Sequence, residues 1–447
     1  MIRILYWNIQ DFARNKIDNP NTRHRQQRSS LDCLSASESR CEYILSHVRA
    51  TAPNLFVVVE VETRFDGRGR LVDPNGFVGS KIVLAALRDL NDDWMLVPPL
   101  QTGPNEGVSV YYRASSLVFT GPHAFTGGDS GVSNAREFRD SGYPEDIAAY
   151  PFLPDRLIPH EAQYNPGMRE NVRAACVDFS TGGDPIDFEG SRAPYEVTFA
   201  EVHGDPLAVR RNLTLFAVHA PADRRFALPY MRDLTTVDQI TAANAPNELR
   251  VLVGDFNVDR LTDGNDPEQA YADFHTATGY TPALSPLAPP PDPSGGYAGY
   301  FATHIRTCDT AEYWHTDDRG NTNAYPGYGY VGTQGVRQTS SIDNCFVRYS
   351  TSADSYPPGH DPTNPPPNTL TVLNGVVGSP YNRWPAPAGA LPGTFAFPIS
   401  MRNPWFANPP QHAPDFSIDL WHAINRSWWD YGRIRSTSDH MALVIDV

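Results

Sequence analysis

The stretch VLVGDFNVD, residues 251–259, places polar side chains at the end of an apolar run. Asp255 and Asn257 stand two residues apart, so their side chains point to the same side if the backbone stays extended. Asp, Gly and Asn are also the usual residues at which a strand ends in a turn. The stretch alone therefore leaves two interpretations open, a turn or a phosphate site. The rest of the chain has to decide between them.

Other polar side chains stand at the ends of apolar runs along the whole chain. They are Asn8 in ILYWNIQ, Glu60 in LFVVVEVE, Glu106 in PNEGVSVYY, Arg192 in RAPYEVTF, His219 in LTLFAVHAP, Asp343 in SSIDNCFV, and Asp439 and His440 in STSDHMALVIDV. Each has an ordinary explanation by itself, such as a turn cap, a buried ion pair or a core histidine. Their joint occurrence in this order is much harder to attribute to chance.

The elements that would position these residues are short apolar strands alternating with helical patterns. Strands are predicted at 2–8, 54–61, 107–112, 194–202, 212–219, 249–255, 342–348 and 440–447. Helices are predicted at 37–51, opened by the capping pattern SASE, and at 79–91, 222–246 and 266–276, with Pro229 marking an irregular first turn or a kink. Because the strands are apolar along most of their length, both faces of each sheet should be covered.

Composition narrows the class of protein. The chain has 447 residues, of which 40% are hydrophobic and 19% charged, so it can bury a large core. The net charge of −15 argues against a surface that is basic throughout. Five scattered cysteines favour free thiols over a disulfide framework. No run is apolar enough to span a bilayer and no export signal is visible, so we expect a cytoplasmic protein that does not bind membranes.

Several stretches carry no readable chemistry. The Pro/Gly-rich regions at about 279–335 and 350–415 are interpreted as surface insertions, and no internal repeat is visible. The basic cluster at 22–30 could line a phosphate-binding rim or form a solvated loop. A zinc site from His304, Cys308 and His315 is conceivable, but no paired Cys-x-x-Cys motif supports it.

The ordered motifs from WNIQ to SDHMALVIDV resemble the endonuclease/exonuclease/phosphatase superfamily, and GDFN with the later SDH is a specific pair for it. VHAP and RAPYEVTF most resemble its deoxyribonuclease I branch. The resemblance implies an α+β fold, a four-layer α/β/β/α sandwich of two packed mixed β-sheets with the active site at one edge. It also implies one catalytic domain over residues 1–447, interrupted by the two insertions.

The resemblance assigns acid–base roles to two imidazole–carboxylate pairs. Glu106 would back His219, and Asp343 would back His440. Phosphodiester hydrolysis needs a base for water and an acid for the leaving oxygen, and histidine titrates near neutrality. His440 is then the expected base and His219 the expected acid, with roles that are partly exchangeable. Asp255 would orient the nucleophile or a second metal.

The resemblance also assigns substrate and cation ligands. Asn257, Arg192 and Asn8 would bind the phosphate. Glu60, with Asn8 and Asp439 nearby, would hold a divalent ion. Oxygen ligands of this kind favour Mg²⁺, with Mn²⁺ or Ca²⁺ as alternatives, over zinc.

The function implied is a divalent-metal-dependent phosphodiesterase, and the nuclease-like stretches favour an endonuclease that binds and hydrolyses DNA. A phosphatase or phospholipase-type hydrolase of the same superfamily is the alternative, with an inositol phosphate, a nucleotide or sphingomyelin as substrate. A catalytically inactive binding module is a third hypothesis, although neither histidine is missing. Gln10 stands where AP endonucleases carry an acid, which weakens that particular activity.

Overall fold

A computed structural model describes the backbone of residues 1–18, 33–64, 72, 74–121, 179–186, 188, 191–204, 208–260, 267–284, 303–305, 314–316, 322–324, 339–366, 370–373 and 437–447. All ten predicted site residues fall within these ranges. The basic cluster at 22–30, Cys308 and most of the two Pro/Gly-rich regions fall outside them.

Two six-stranded sheets form the centre of the described structure. The strands are β1 (Arg3–Phe12), β2 (Leu55–Glu62), β3 (Trp94–Gly103), β4 (Glu106–Arg113), β5 (Leu117–Gly121), β6 (Tyr195–His203), β7 (Ala208–His219), β8 (Glu248–Asp255), β9 (Thr281–Pro282), β10 (Asp343–Tyr349), β11 (Leu370–Leu373) and β12 (Ala442–Asp446). The helices are α1 (Arg14–Ile17), α2 (Cys33–Thr51), α3 (Pro74–Leu90), α4 (Arg224–Leu234), α5 (Asp238–Thr241) and α6 (Gln269–Thr278).

The two sheets have the same arrangement of strand directions. Their orders are β11-β12-β1-β2-β4-β3 and β9-β10-β8-β7-β6-β5. One central pair in each sheet is parallel, β1 with β2 and β8 with β7. The remaining neighbours are antiparallel. The fold thus contains a repeat that the sequence does not show, and equivalent strand ends of the two sheets can meet at one place.

The sheets pack face to face and helices cover their outer faces. Tyr112 of β4 contacts Phe199 of β6 across the interface, with ring centroids 5.1 Å apart. On the outer face of the first sheet, the ring of Trp7 contacts Tyr43 of α2 at 5.7 Å. A second core cluster joins the outer face of the second sheet to α4, α5 and α6. The predicted four-layer sandwich of two mixed sheets is confirmed.

Side-chain alternation along β8 explains why its apolar run is continuous. Val251 and Val253 belong to the core shared with the first sheet, whereas Leu252 packs against the helices. Successive side chains of a strand point to opposite faces, so a strand covered on both sides must be apolar throughout. The polar residues of β8 therefore stand towards its two ends, Glu248 and Arg250 at the start and Asp255 at the end.

The prediction of one helix over 222–246 is wrong in extent, because two short helices occupy this region. Asp223 caps α4, accepting a hydrogen bond from the backbone N–H of Arg225 at 2.9 Å. Pro229 lies inside α4, not in its first turn. The hydroxyl of Thr235 donates to the carbonyl of Arg232 at 2.6 Å where that helix ends. Competition of such hydroxyls for backbone groups favours termination.

Two further differences concern helix starts and edge strands. The helix α2 begins at Cys33, so SASE at 35–38 lies within it and does not precede it. Four strands of the two sheets were not predicted, namely β3, β5, β9 and β11. Two prolines interrupt the pattern of β3, which lies at a sheet edge where proline is tolerated. The strand β11 is also an edge strand, within the region interpreted as an insertion.

Two smaller expectations can also be compared with the structure. Over the described ranges, every helix is too short or too polar to cross a lipid bilayer. Of the five cysteines, the structure describes the side chains of Cys41 and Cys345, and both are free thiols.

Candidate active site

The candidate site lies where the central parallel strands of both sheets end. The strand β7 ends at His219 and β8 ends at Asp255, and these two residues are register partners. Asn8 lies towards the end of β1, beside Val59 of β2. Because parallel strands end at the same edge of a sheet, each sheet delivers neighbouring polar side chains to the interface between the sheets.

Glu60 reaches the site through an irregularity in the first sheet. The pairing of β2 shifts register around this residue on both of its sides, with β1 and with β4. Glu60 has a φ of 60°, in the left-handed region. This conformation costs an L-residue on the order of 1 kcal/mol, so the fold must hold it in place. The bulge turns the Glu60 carboxylate towards Asn8, whose Nδ2 donates to Glu60 Oε1 at 2.9 Å.

The structure brings His219 and Glu106 together. His219 Nδ1 lies 2.6 Å from Glu106 Oε2, which fixes the orientation of the ring and leaves Nε2 pointing into the site. The other oxygen of Glu106 accepts a hydrogen bond from Arg192. Arg192 was predicted to hold phosphate, and in the structure its guanidinium is paired with Glu106 and only partly exposed.

A second imidazole is held in the same manner. His440 Nδ1 lies 2.8 Å from Asp343 Oδ2, and Asp343 is completely buried. The hydroxyl of Tyr6 donates to the other oxygen of Asp343 at 3.4 Å. Since Asp343 has both oxygens in use, its carboxylate and the ring of His440 form a rigid unit.

Asp255 lies between the two imidazoles. Its Oδ2 is 3.6 Å from the Nε2 of His219 and 3.6 Å from the Nε2 of His440. The two Nε2 atoms therefore lie within about 7 Å of each other, a span that hydrogen bonds to the oxygens of one phosphate can cover. Asn8 Nδ2 is 3.3 Å from the same oxygen.

The turn and the site are both present in GDFN. Asp255 Oδ1 accepts a hydrogen bond from the backbone N–H of Asn257 at 2.8 Å, while Oδ2 faces the histidines. Asn257 adopts a left-handed φ of 51°, which asparagine tolerates well, and its Nδ2 donates to the carbonyl of Ala220 at 2.9 Å. The backbone thus leaves the extended conformation at once, and each oxygen of Asp255 has its own function.

Electrostatics couples these groups. Burial, with the charge of Asp343, raises the pKa of Asp255 to about 7. Burial alone would lower the pKa of His440, but Asp343 and Asp255 outweigh it and raise that pKa to about 10. Against the same effect of burial, Glu106 raises the pKa of His219. Burial would raise the pKa of Glu106, but His219 and Arg192 lower it. Both imidazoles therefore have a strong affinity for a proton.

The residues around Asn8 are suited to a cation. The carboxylates of the site are those of Glu60, Glu106, Asp255, Asp343 and Asp439, and they outnumber the imidazoles and Arg192. Such a site repels a phosphate anion unless a cation is also bound. The Oδ1 of Asn8 is buried, with no hydrogen-bond partner among the described residues. This oxygen and the Glu60 carboxylate are donors of the kind that a hard divalent ion binds.

Asp439 lies beside His440 and beside a third imidazole, that of His304. Its Oδ1 is 3.9 Å from His440 Nε2, and its Oδ2 is 3.7 Å from the Nε2 of His304. Both Glu60 and Asp439 contribute to a raised pKa of Asp11, after burial as the main cause, so the two carboxylates share one neighbourhood. Asp439 thus belongs to the site but has imidazoles as neighbours.

Sequence reasoning missed residues that hold the site together. Ser438 Oγ donates to the carbonyl of Asn8 at 2.5 Å and accepts from the N–H of His440 at 3.0 Å. The buried ammonium of Lys16 donates to the carbonyls of Gln10 and Thr437. Ser438 is the serine of the SDH motif, and this motif is the sequence signal that could have indicated its contact with Asn8. No sequence pattern marks Lys16, and the spacing of His304 to Cys308 and His315 does not indicate its contact with His440, because both contacts are long-range.

Comparisons with known proteins give a likeness of fold. No protein-family model matches the chain, and no curated protein sequence matches it. Among solved structures, an endonuclease/exonuclease/phosphatase family protein from Leptotrichia buccalis is 10% identical, with a TM-score of 0.39, over 100% of this chain and 99% of that chain. TDP2 from D. rerio, in complex with a single-strand DNA product, is 10% identical, with a TM-score of 0.36, over 99% and 97%.

A mannosyl-6-phosphatase from Bacteroides thetaiotaomicron is 11% identical, with a TM-score of 0.31, over 78% of this chain and 85% of that chain. The Leptotrichia protein bears the name of the superfamily that the ordered motifs resemble. The chain has the two-sheet fold that its ordered motifs predict.

Proposed function

We propose that this protein is a divalent-metal-dependent hydrolase of phosphate esters, most specifically an endonuclease that cleaves DNA. The observation that carries the proposal is the pair of imidazoles, each backed by a carboxylate, with both Nε2 atoms 3.6 Å from one oxygen of Asp255. This arrangement presents two proton-transferring groups to one small anion. It is the geometry that in-line attack of water on a phosphate requires.

The proton transfers follow from the contacts. In its neutral form His440 takes a proton from water at Nε2, and Asp343 and Asp255 stabilise the imidazolium that forms. Asp255 Oδ2 orients the attacking water, and His219 donates a proton to the leaving oxygen. Glu106 and Asp343 hold the two rings in the required tautomer by binding Nδ1.

A hard divalent cation is part of the proposal. Glu60 and Asn8 would hold it, and Mg²⁺ is the ion that suits so few protein oxygens. When bound, the ion supplies positive charge against the phosphate. Asn257 and Arg192 would bind non-bridging oxygens through N–H groups that their contacts with Ala220 and Glu106 leave unused.

Variants of the two histidines test the site. His219→Ala and His440→Ala should each reduce hydrolysis by about a hundredfold or more, since general acid–base catalysis contributes roughly 10²- to 10⁴-fold. Folding should be preserved, as judged by circular dichroism and the melting temperature. Chelation by EDTA should stop the reaction, and added Mg²⁺ should restore it. Wild-type rates in both variants would show that the site is wrongly assigned.

The substrate is tested separately. Incubation with supercoiled plasmid and Mg²⁺ should yield nicked and linear DNA. The net charge of −15 favours the alternative, a small phosphate ester such as a nucleotide or an inositol phosphate. Release of phosphate from these esters without any nicking of the plasmid would make the phosphatase the better assignment.

A further inference from the structure

A third imidazole lies against the proposed catalytic pair. The ring of His304 contacts that of His440 with centroids 4.6 Å apart. One carboxylate spans both rings: Asp439 Oδ2 is 3.7 Å from His304 Nε2, and Asp439 Oδ1 is 3.9 Å from His440 Nε2. One donor atom from each of the three residues lies within 4.8 Å of the other two. Donors bound to one metal ion at about 2.1 Å lie roughly 3 to 4 Å apart.

The backbone holds this cluster in place independently of any ion. His304 and His440 face each other as bridge partners, and the N–H of Met441 donates to the carbonyl of Thr303 at 2.7 Å. The hydroxyl oxygen of Thr303 accepts hydrogen bonds from the N–H groups of Ile342 and Asp343, each at 3.0 Å. The start of β10, which carries Asp343, therefore also fixes the segment that carries His304.

The donor set differs from that around Glu60. Asn8 and Glu60 offer oxygen alone, whereas the cluster offers two imidazole nitrogens and one carboxylate. Nitrogen donors favour ions such as Zn²⁺ over Mg²⁺. His440 Nδ1 is bound to Asp343, an arrangement common behind metal-binding histidines, and this leaves Nε2 as the donor. The sequence spacing suggested Cys308 and His315 as the partners of His304 in a zinc site. It did not suggest Asp439 and His440.

We propose that His304, Asp439 and His440 form a second cation site, which binds a transition-metal ion of the Zn²⁺ class, and that its occupation switches hydrolysis off. The ion takes Nε2 of His440, the atom that would otherwise accept the proton from water. The binding part stands on the cluster alone, while the inhibitory part rests on the proposed function.

Calorimetric titration of Zn²⁺ into the full chain tests binding, with excess Mg²⁺ present to fill the oxygen site. The wild type should bind one Zn²⁺ at this cluster, and His304→Ala should weaken that binding tenfold or more. His304→Gln, which better preserves the packing, and Asp439→Asn should also weaken it. His360→Ala is the matched control, because that ring bonds to the carbonyl of Asn364 outside the cluster, and it should leave binding unchanged.

Co²⁺ provides an optical readout that does not depend on calorimetry. Wild-type protein should show the visible absorption of Co²⁺ bound by nitrogen ligands, and both His304 variants should lose it. Wild-type affinity for Zn²⁺ in both folded His304 variants would overturn the proposal. A loss of Zn²⁺ affinity in Cys308→Ser, together with wild-type affinity in Asp439→Asn, would also overturn the proposal. That result would favour His304, Cys308 and His315 as the ligands.

Inhibition is measured as a separate result. The Zn²⁺ concentration that halves plasmid cleavage should rise in His304→Ala by the factor found for binding. Equal inhibition of wild type and variant, with binding lost, would refute the switch and leave the binding site. A protein that cleaves none of the esters tested would refute the proposed function, while the calorimetric result would still decide the binding site.

Discussion

Asp255 shows how one residue can serve both folding and chemistry. Its Oδ1 closes the turn after β8, and its Oδ2 faces both imidazoles. The carboxylate is almost fully buried and lies near the charge of Asp343, and these two effects raise its pKa to about 7 although two imidazoles are close by. A buried acid that has to ionise costs stability, so this position favours function at the expense of the folded state.

Asp255→Asn should therefore stabilise the metal-free protein at pH 8 while removing activity. A folded-state pKa above the ordinary value of 3.8 means that Asp255 lowers stability as the pH rises from about 4 to about 7. The amide avoids this cost and still accepts from the N–H of Asn257. One pKa unit corresponds to about 1.4 kcal/mol. We therefore expect the free energy of unfolding, measured in urea with EDTA present, to rise by an amount of that order. The gain should vanish at pH 4, and an equal gain at both pH values would contradict the explanation.

Asp343→Asn should lower the pKa of His440, because Asp343 is the main group that raises it. The raised pKa gives His440 a stabilising contribution that is complete below about pH 6.5 and is lost as the pH rises through about 10. NMR titration of the imidazole in metal-free protein measures the shift directly. His219, backed by Glu106, is the internal control, and its titration should change much less.

The proposed roles of these residues could be assigned from sequence, but the full set of residues that the fold brings together could not. Asp255, His219 and His440 follow or precede apolar runs in motifs that resemble a known superfamily. His304 carries no such signal, because it becomes a neighbour of His440 only when the short segment at 303–305 pairs with the start of β12. Its partner in the chain is 136 residues away, and no local periodicity encodes that contact.

At the scale of elements, close approach of two strands explains the glycine of GDFN. A Cβ on Gly254 would lie 2.1 Å from the carbonyl oxygen of Val218 on β7. The parallel pair can place His219 beside Asp255 only because this position has no side chain. The two residues of the motif thus have separate physical reasons. Gly254 is required by its packing against Val218, and Asp255 is required by its proposed chemical role.

Gly254→Ala should destabilise the protein by on the order of 2 kcal/mol or more, since backbone has to move to relieve the contact. Urea unfolding followed by fluorescence would measure the loss. Gly359→Ala is a useful comparison, because that glycine has a φ of 82° with open space around it. It should show only the smaller strain of a left-handed alanine, about 1 kcal/mol. Equal losses in the two variants would indicate that crowding by Val218 is unimportant.

The boundaries of the strands at the site could be predicted from the sequence to within a few residues. The edge strands, in contrast, could not be predicted. The strands β7 and β8 are covered on both faces and so have an unbroken apolar signal. The strands β3 and β11 lie at sheet edges, where pairing on one side is enough to define a strand. The bulge at Glu60 was also invisible, because it arises from pairing with two neighbours at once.

At the scale of the molecule, two sheets with the same pattern of strand directions meet around the site. Arg211 joins them at the far end of β7 from His219. Its guanidinium binds Glu201 at 2.5 Å, the carbonyl of Ser355 at 2.8 Å and the carbonyl of Val447 at 2.9 Å. Arg211 is almost completely buried, so these contacts replace its hydration. The sheets are thus fastened at both ends, by polar contacts at Arg211 and by the candidate site itself.

Arg211→Met should lower the free energy of unfolding by roughly 3 kcal/mol, because it leaves buried Glu201 with weaker pairing. Activity at temperatures well below the melting transition should remain close to that of wild type. Arg225→Met is the control, since that guanidinium lies on the surface and should contribute little. Melting curves and plasmid cleavage together separate a structural from a catalytic effect.

The order of the site residues along the chain has a consequence for the protein during its synthesis. His440 follows Asp343, its carboxylate partner, by 97 residues, and β12 completes the first sheet beside β1. A growing chain on the ribosome can already contain Asn8, Glu60 and Asp255 while the proton acceptor is still missing. Under the proposed function, hydrolysis would begin only after translation has passed His440, so a chain that is still being synthesised would be inactive.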